Sequence, residues 1–184
     1  MSEGNEPTRP ENRSHHCMTS IREHLFIYGG HEHHHGTECN ELWSFNTKRG
    51  VWKRYQLPQE IDTPLSSSIC SIGNLIYIFG GYRFDGDDYR QTNSLISFDI
   101  TESTWEVLYP HTDDYDYNTP PPICGNLLCY HGGSLYILGG FYQCLTLDSI
   151  YKFSLKSAKW SMVPQNGVKP TFNRQIFGTI YKNR

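Results

Sequence analysis

With 184 residues the chain is long enough for one domain with a real core. It is rich in aromatics, glycine and proline and contains a single alanine, Ala158, which disfavours a helical bundle. The formal charge is −3 with no basic run, which argues against a nucleic-acid partner, and no run of eighteen apolar residues is present to cross a membrane.

Residues 1–12 are polar, carry Pro7 and Pro10, and lack the apolar stretch of a signal peptide, so they read as a disordered lead-in. A repeated pattern then occupies residues 13–184. Three short apolar runs, Leu25 to Tyr28, Leu75 to Phe79 and Leu135 to Leu138, each end in a glycine pair: Gly29-Gly30, Gly80-Gly81 and Gly139-Gly140. The pairs are 51 and 59 residues apart, and such a period means one folding unit copied several times. Each copy has a second mark, because Phe45 and Trp52, Phe98 and Trp105, and Phe153 and Trp160 are all seven residues apart.

The second copy shows how a unit is built. Leu65 to Ser71 predicts a strand, and Gly73-Asn74 predicts a turn, since both residues tolerate positive φ. Leu75 to Phe79 is a continuous apolar strand of the kind covered on both faces. Gly80-Gly81 ends it where the backbone must bend or pack closely. Ser94 to Asp99 predicts a third strand and Trp105 opens a fourth, after the polar turn Thr101-Glu102-Ser103. The expected units are 13–57, 64–110, 123–164 and an incomplete one at 171–184. Trp43, Trp52, Trp105 and Trp160 are expected in the core, where truncating a tryptophan costs about 3–5 kcal/mol.

The pattern of apolar strand, glycine pair, aromatic residue and tryptophan resembles the kelch repeat. The resemblance implies an all-β fold of four-stranded β-propeller blades, three complete and a fourth begun. Closed kelch rings have five to seven blades, so this chain is expected to form part of a ring, with exposed end faces and poor stability as an isolated monomer. It most resembles kelch-domain-containing substrate receptors of cullin-RING ubiquitin ligases. The shared features are Arg13-Ser14-His15-His16, Glu41-Leu42-Trp43 and Gly50-Val51-Trp52. The resemblance implies a non-catalytic interaction module. Its expected partners are a ubiquitination substrate, held by a short segment such as its C-terminus, and cullin-ligase subunits. A cytoskeletal or signalling scaffold is the alternative, and a propeller metalloenzyme a distant one. In some kelch receptors, arginines near the repeat openings hold acidic ligands, which makes Arg13, Arg83, Arg90 and Arg174 candidate anion contacts.

The propeller geometry places the loops 82–93, 141–147, 56–64, 109–122 and 164–172 on one face. Two are acidic and tyrosine-rich and adjacent in repeat order. They supply the candidate partner-binding residues Tyr82, Arg83, Asp85, Asp87, Asp88, Tyr89 and Arg90, with Asp113, Asp114, Tyr115, Asp116 and Tyr117. Tyrosine offers contact area with a polar tip, and carboxylates favour a basic partner.

His31-Glu32-His33-His34-His35 matches the spacing of a zinc-protease motif, but that motif needs a helix to put both histidines on one face. After a glycine pair it reads as a polar loop, so no metal or cofactor is expected. No phosphate-cradling glycine motif and no nucleophile elbow occurs. Cys70 and Cys129 each stand ten residues before their glycine pair, which suggests small buried side chains rather than a disulfide framework. A reducing compartment follows, the cytoplasm first and the nucleus second.

Overall fold

The computed structural model describes residues 8–34, 36–59, 61, 65–85, 88–143, 145–169, 176 and 178. His35, Asp87, Arg174 and most of the expected fourth repeat lie outside them. The described residues contain strands and turns and no helix.

The first repeat holds β1 (Arg13–Ser14), β2 (Cys17–Ile21), β3 (His24–Tyr28), β4 (His31–Glu32), β5 (Glu41–Asn46) and β6 (Val51–Gln56). The second holds β7 (Ser68–Ile72), β8 (Leu75–Phe79), β9 (Tyr82–Asp85), β10 (Asp88–Gln91), β11 (Leu95–Asp99) and β12 (Thr104–Tyr109). The third holds β13 (Leu127–His131), β14 (Ser134–Leu138), β15 (Phe141–Tyr142), β16 (Leu145–Thr146), β17 (Ile150–Ser154) and β18 (Lys159–Met162). Each repeat makes one four-stranded antiparallel sheet, in the orders β2-β3-β5-β6, β7-β8-β11-β12 and β13-β14-β17-β18. These are propeller blades, and among the described residues they do not close into a ring.

The seven-residue interval is a hairpin register. Phe45 pairs directly with Trp52, Phe98 with Trp105 and Phe153 with Trp160 across the outer two strands. Their ring centroids lie 4.7, 4.6 and 4.8 Å apart. Each hairpin turns through a left-handed residue at the same phase: Gly50, Ser103 and Ala158.

The core consists of the two junctions between blades. Phe26, Tyr28 and Leu42 meet Ile76, Ile78, Ile96 and Phe98 at the first. Phe79 and Leu95 meet Leu128, Leu135, Ile137 and Phe153 at the second. The phenylalanines, not the tryptophans, are sealed there: Phe98 and Phe153 are fully buried, whereas Trp52, Trp105 and Trp160 are half-buried. Trp105 caps the rim of its junction, 6.2 Å from Tyr28, and donates its indole N–H to the carbonyl of Gln56 at 3.1 Å. Trp160 caps its own junction by ring contact alone, 5.5 Å from Phe79 and 5.9 Å from Tyr109. Trp43 is fully buried, as expected. The first blade has no neighbour on its leading side among the described residues, and Met18 and Leu25 are exposed there.

The glycine pair works at the junction. A Cβ on Gly80 would lie 2.5 Å from the carbonyl oxygen of Ile123, where the next blade begins. A Cβ on Gly140 would lie 3.0 Å from the Cys124 carbonyl oxygen of its own blade. Both glycines have positive φ, so contact and backbone together exclude a side chain.

The innermost strands are tied by backbone. Ser66 N–H donates to the His15 carbonyl at 2.9 Å, Gly125 to Ser66 at 3.1 Å, and Ile176 to Gly125 at 3.1 Å. His15, Ser66 and Gly125 are all left-handed residues, one per repeat. Ser66 therefore interrupts the expected strand from Leu65: Leu65 makes an isolated bridge to Tyr82, and the inner strand starts at Ser68. Ile176 continues the series at the phase of a fourth repeat.

Arg13 is almost fully buried. It donates to Glu41 at 2.8 Å and to the Gly29 carbonyl at 3.2 Å, while Arg54 meets the other Glu41 oxygen at 2.6 Å. Burial pushes the Glu41 carboxyl upward, but hydrogen bonds and the two guanidinium charges outweigh it and bring the pKa below its ordinary value. The opening arginine is thus a structural clamp turned inward, away from any anion in solution. Cys129 is buried, and burial pushes the partly buried Cys70 thiol up to about 12. The described cysteines are free thiols.

Candidate protein-interaction face

The expected loops after each glycine pair are short two-stranded ribbons: β1 with β4, β9 with β10, and β15 with β16. In the β9–β10 ribbon Tyr82 pairs with Gln91, Arg83 with Arg90, Phe84 with Tyr89 and Asp85 with Asp88. Alternation along a strand puts Tyr82, Phe84, Tyr89 and Gln91 on one face and Arg83, Arg90 and Asp88 on the other. The ribbon therefore has an aromatic side and a charged side. Tyr82 lies 5.8 Å from Phe84 and 5.9 Å from Tyr89, ring to ring. Its backbone exchanges two hydrogen bonds with Leu65, and Phe84 N–H donates to Glu38 of the first blade at 2.9 Å.

The second acidic segment, 110–122, is held by Asn93, which is fully buried. Its amide nitrogen donates to the Pro120 carbonyl at 3.0 Å, and its oxygen accepts the Thr112 N–H at 3.0 Å. One side chain thus clamps both ends of the loop. Asp116 has a local role: its carboxylate accepts the Thr119 hydroxyl and the N–H groups of Asn118 and Thr119. The Thr119 hydroxyl and these amides hold its pKa below the ordinary value. Tyr115 donates its hydroxyl to Tyr142 at 2.7 Å, and this bond, with burial, pushes its pKa up to about 12.

The two segments border one cleft of about 570 Å³. Tyr89 and Arg90 line one side, and His111, Asp113 and Tyr115 the other, with Tyr142 and Gln143 from the third blade. The adjacent acidic loops of the sequence thus share a cleft. Asp88, Asp113, Asp114 and Tyr117 are exposed, Tyr117 and Asp116 lie outside the cleft lining, and Asp87 is outside the described residues. A second cavity of about 460 Å³ adjoins, sharing Tyr89 and Gln91 and completed by Tyr82, Phe84, Cys124 and Phe141.

Gln91 is the node that the sequence reading did not select. Its amide donates to the Phe141 carbonyl at 2.7 Å and to Cys124 Sγ at 3.2 Å, and its oxygen accepts the Gln143 N–H at 3.0 Å. Phe84, Cys124, Phe141 and Tyr142 were also missed. Period-two alternation from Tyr82 signals Phe84, whereas the others come from another repeat.

The histidine-rich segment is not a free loop. His31 and Glu32 pair with Ser14 and Arg13, and buried Glu32 accepts the Thr37 hydroxyl at 3.3 Å. Among the described residues no three of His, Cys, Asp and Glu are grouped to hold a metal ion. None of these residues forms a helix long and apolar enough to cross a membrane.

The sequence matches a family model, the KLHDC2/KLHL20/DRC7 Kelch-repeats domain, over residues 3–184. The chain belongs to the kelch-repeat family. It is 25% identical over 156 residues to Kelch domain-containing protein 1 of Homo sapiens, covering 82% of this chain and 37% of that one. It is 26% identical over 190 residues to the Host cell factor homolog hcf-1 of Caenorhabditis elegans, covering 94% and 23%. Against Kelch domain-containing protein 3 of Rattus norvegicus it is 24% identical over 177 residues, covering 93% and 45%. The chain thus spans less than half the length of these relatives. A kelch-repeat domain is a protein-interaction module.

Proposed function

We propose that this kelch domain is non-catalytic and holds a segment of a partner protein on its ribbon-and-loop face. We further propose that it serves as the substrate-recognition part of a cullin-RING ubiquitin ligase, in the cytoplasm or nucleus. The observation that carries the binding reading is the cleft between the β9–β10 ribbon and the 110–122 loop. Its walls are braced by Glu38 of the first blade, by Asn93 of the second, and by Gln91 of the second on the Phe141 carbonyl of the third, so little ordering remains to oppose binding. Exposed carboxylates at its edge favour a basic partner. The ligase role is supported by the likeness to kelch-domain-containing receptors, through Arg13-Ser14-His15-His16, Glu41-Leu42-Trp43 and Gly50-Val51-Trp52.

Affinity purification of the tagged chain from cells tests the role. A substrate receptor is expected to recover cullin and elongin subunits. Recovery of actin or a kinase in their place would favour a cytoskeletal or signalling scaffold. Reversing Asp88, Asp113 and Asp114 to lysine is expected to abolish recovery of the substrate, and unchanged recovery would remove this face as the site.

A further inference from the structure

We propose that the cavity behind the β9–β10 ribbon takes one apolar side chain of the bound segment, and that the acidic rim selects a lysine or arginine beside it. This rests on the loop-face reading above.

The cavity is an apolar well of about 460 Å³, within the roughly 300–1,000 Å³ of ordinary ligand sites. Its aromatic lining is only partly covered: Phe84 is 55% and Tyr89 47% exposed. Exposed aromatics gathered on one concavity mark an interaction site, whereas the same residues scattered singly would not. Among the described residues the wall holds one side-chain amide, that of Gln91, and it is engaged on both sides by Phe141, Cys124 and Gln143. A polar side chain laid in this open hollow would give up part of its hydration without finding a free amide partner, so the hollow favours an apolar one. The bracing of Tyr82 by Leu65 and of Phe84 by Glu38 keeps the well open in the absence of an occupant.

The charge of the rim decides the neighbour. Among the described side chains of residues 82–93 and 109–122, Asp88, Asp113, Asp114 and Asp116 stand against Arg83 and Arg90. Arg83, Arg90 and Asp88 share the ribbon face turned from the aromatic side, so the carboxylate that lines the rim comes from the 110–122 loop. Asp113 is highly exposed and lines the cleft that shares Tyr89 and Gln91 with the well; His111 stands 3.6 Å from it. Arg90 and His111 also line that cleft, and exposed Asp114 beside Asp113 tips the local balance toward negative charge. A cation next to the apolar anchor is attracted, and an acidic residue there is repelled.

Fluorescence anisotropy with three labelled, end-capped peptides of equal length tests this. One carries a phenylalanine flanked by lysines, the second an alanine in its place, and the third glutamates in place of the lysines. Capping removes the terminal charges, so capture of a free carboxylate contributes nothing. The first peptide is expected to bind about tenfold or more tighter than either of the others. Tyr89→Ala and Phe84→Ala are each expected to weaken it about tenfold, and Asp113→Lys to weaken it and reduce its salt dependence. Both aromatics are half-exposed, and a thermal melt confirms that each variant is folded. Equal binding of the three peptides, or undiminished binding by folded Tyr89→Ala and Phe84→Ala, overturns the proposal. If the capped peptides fail while an uncapped one binds and is lost on Tyr89→Ala, the proposal falls and the loop-face reading stands. If no peptide binds and cellular partners are retained by the Tyr89→Ala, Asp113→Lys double variant, both fall.

Discussion

Phe98 and Phe45 occupy the same position in successive repeats, each directly opposite a tryptophan, yet their surroundings differ. Phe98 is sealed between the first and second blades, whereas Phe45 faces the leading side of the first blade and is only half-buried. The same contrast separates Ile76, with no exposed surface, from Leu25, which is 36% exposed. At these positions the neighbouring blade supplies the burial that the strand's own blade does not, whereas Trp43 on the same open face is covered within its blade by Trp52. Stability in such an array is a sum over repeats and junctions, and a residue without a junction contributes only the first part.

Alanine substitution gives the largest test of this contrast. Phe98→Ala is expected to cost about 3–5 kcal/mol in urea unfolding, and Phe45→Ala about 1–2 kcal/mol. Equal losses would break the comparison. Glycine substitution sharpens it at the backbone. Both Gly80 and Gly73 have positive φ, but a Cβ meets the next blade only at Gly80 and open space at Gly73. Gly73→Ala is expected to cost about 1 kcal/mol, and Gly80→Ala about 3 kcal/mol, because the clash with Ile123 adds to the backbone strain.

The buried Arg13–Glu41–Arg54 cluster belongs to the first blade alone, so its contribution should not depend on a junction. Glu41→Gln leaves the buried Arg13 uncompensated and is expected to cost about 2 kcal/mol at pH 7. Because the folded pKa of Glu41 lies below its unfolded value, the carboxylate's contribution is fully present above the ordinary value of 4.5. It is lost as pH falls through the folded value. Thermal melts across this range should bring wild type and Glu41→Gln together at low pH, and a constant gap would show that Glu41 stabilises by packing. The smallest effect on stability is expected at the rim, where Asp113→Lys with Asp114→Lys should stay within about 0.5 kcal/mol while partner recovery falls.

The candidate site was legible only in part. Repeat order alone brought the 82–93 and 109–122 segments together, and Tyr89, Arg90, Asp113 and Tyr115 do line one cleft. Asp116 shows the limit of reading charge from composition, because its carboxylate is occupied within its own turn. The polar turns of the ribbons give them the composition of loops, although Tyr82 and Phe84 alternate as a strand face does. Arg13, a candidate anion contact by its place at the repeat opening, is instead enclosed by Glu41 and the first glycine pair.

The sequence by itself determined the blades. Apolar runs, glycine pairs and the seven-residue aromatic interval act within a single repeat, through strand alternation, left-handed turns and hairpin register, so each copy states them independently. Only the tertiary structure decided what lies between the blades. Gln91 reaches the Phe141 carbonyl 50 residues away, Asn126 donates to Ser68 58 residues away, and the aromatic well forms where the second blade's ribbon meets the third blade. Such contacts follow from how neighbouring sheets pack, and no local spacing encodes which side chains will meet there.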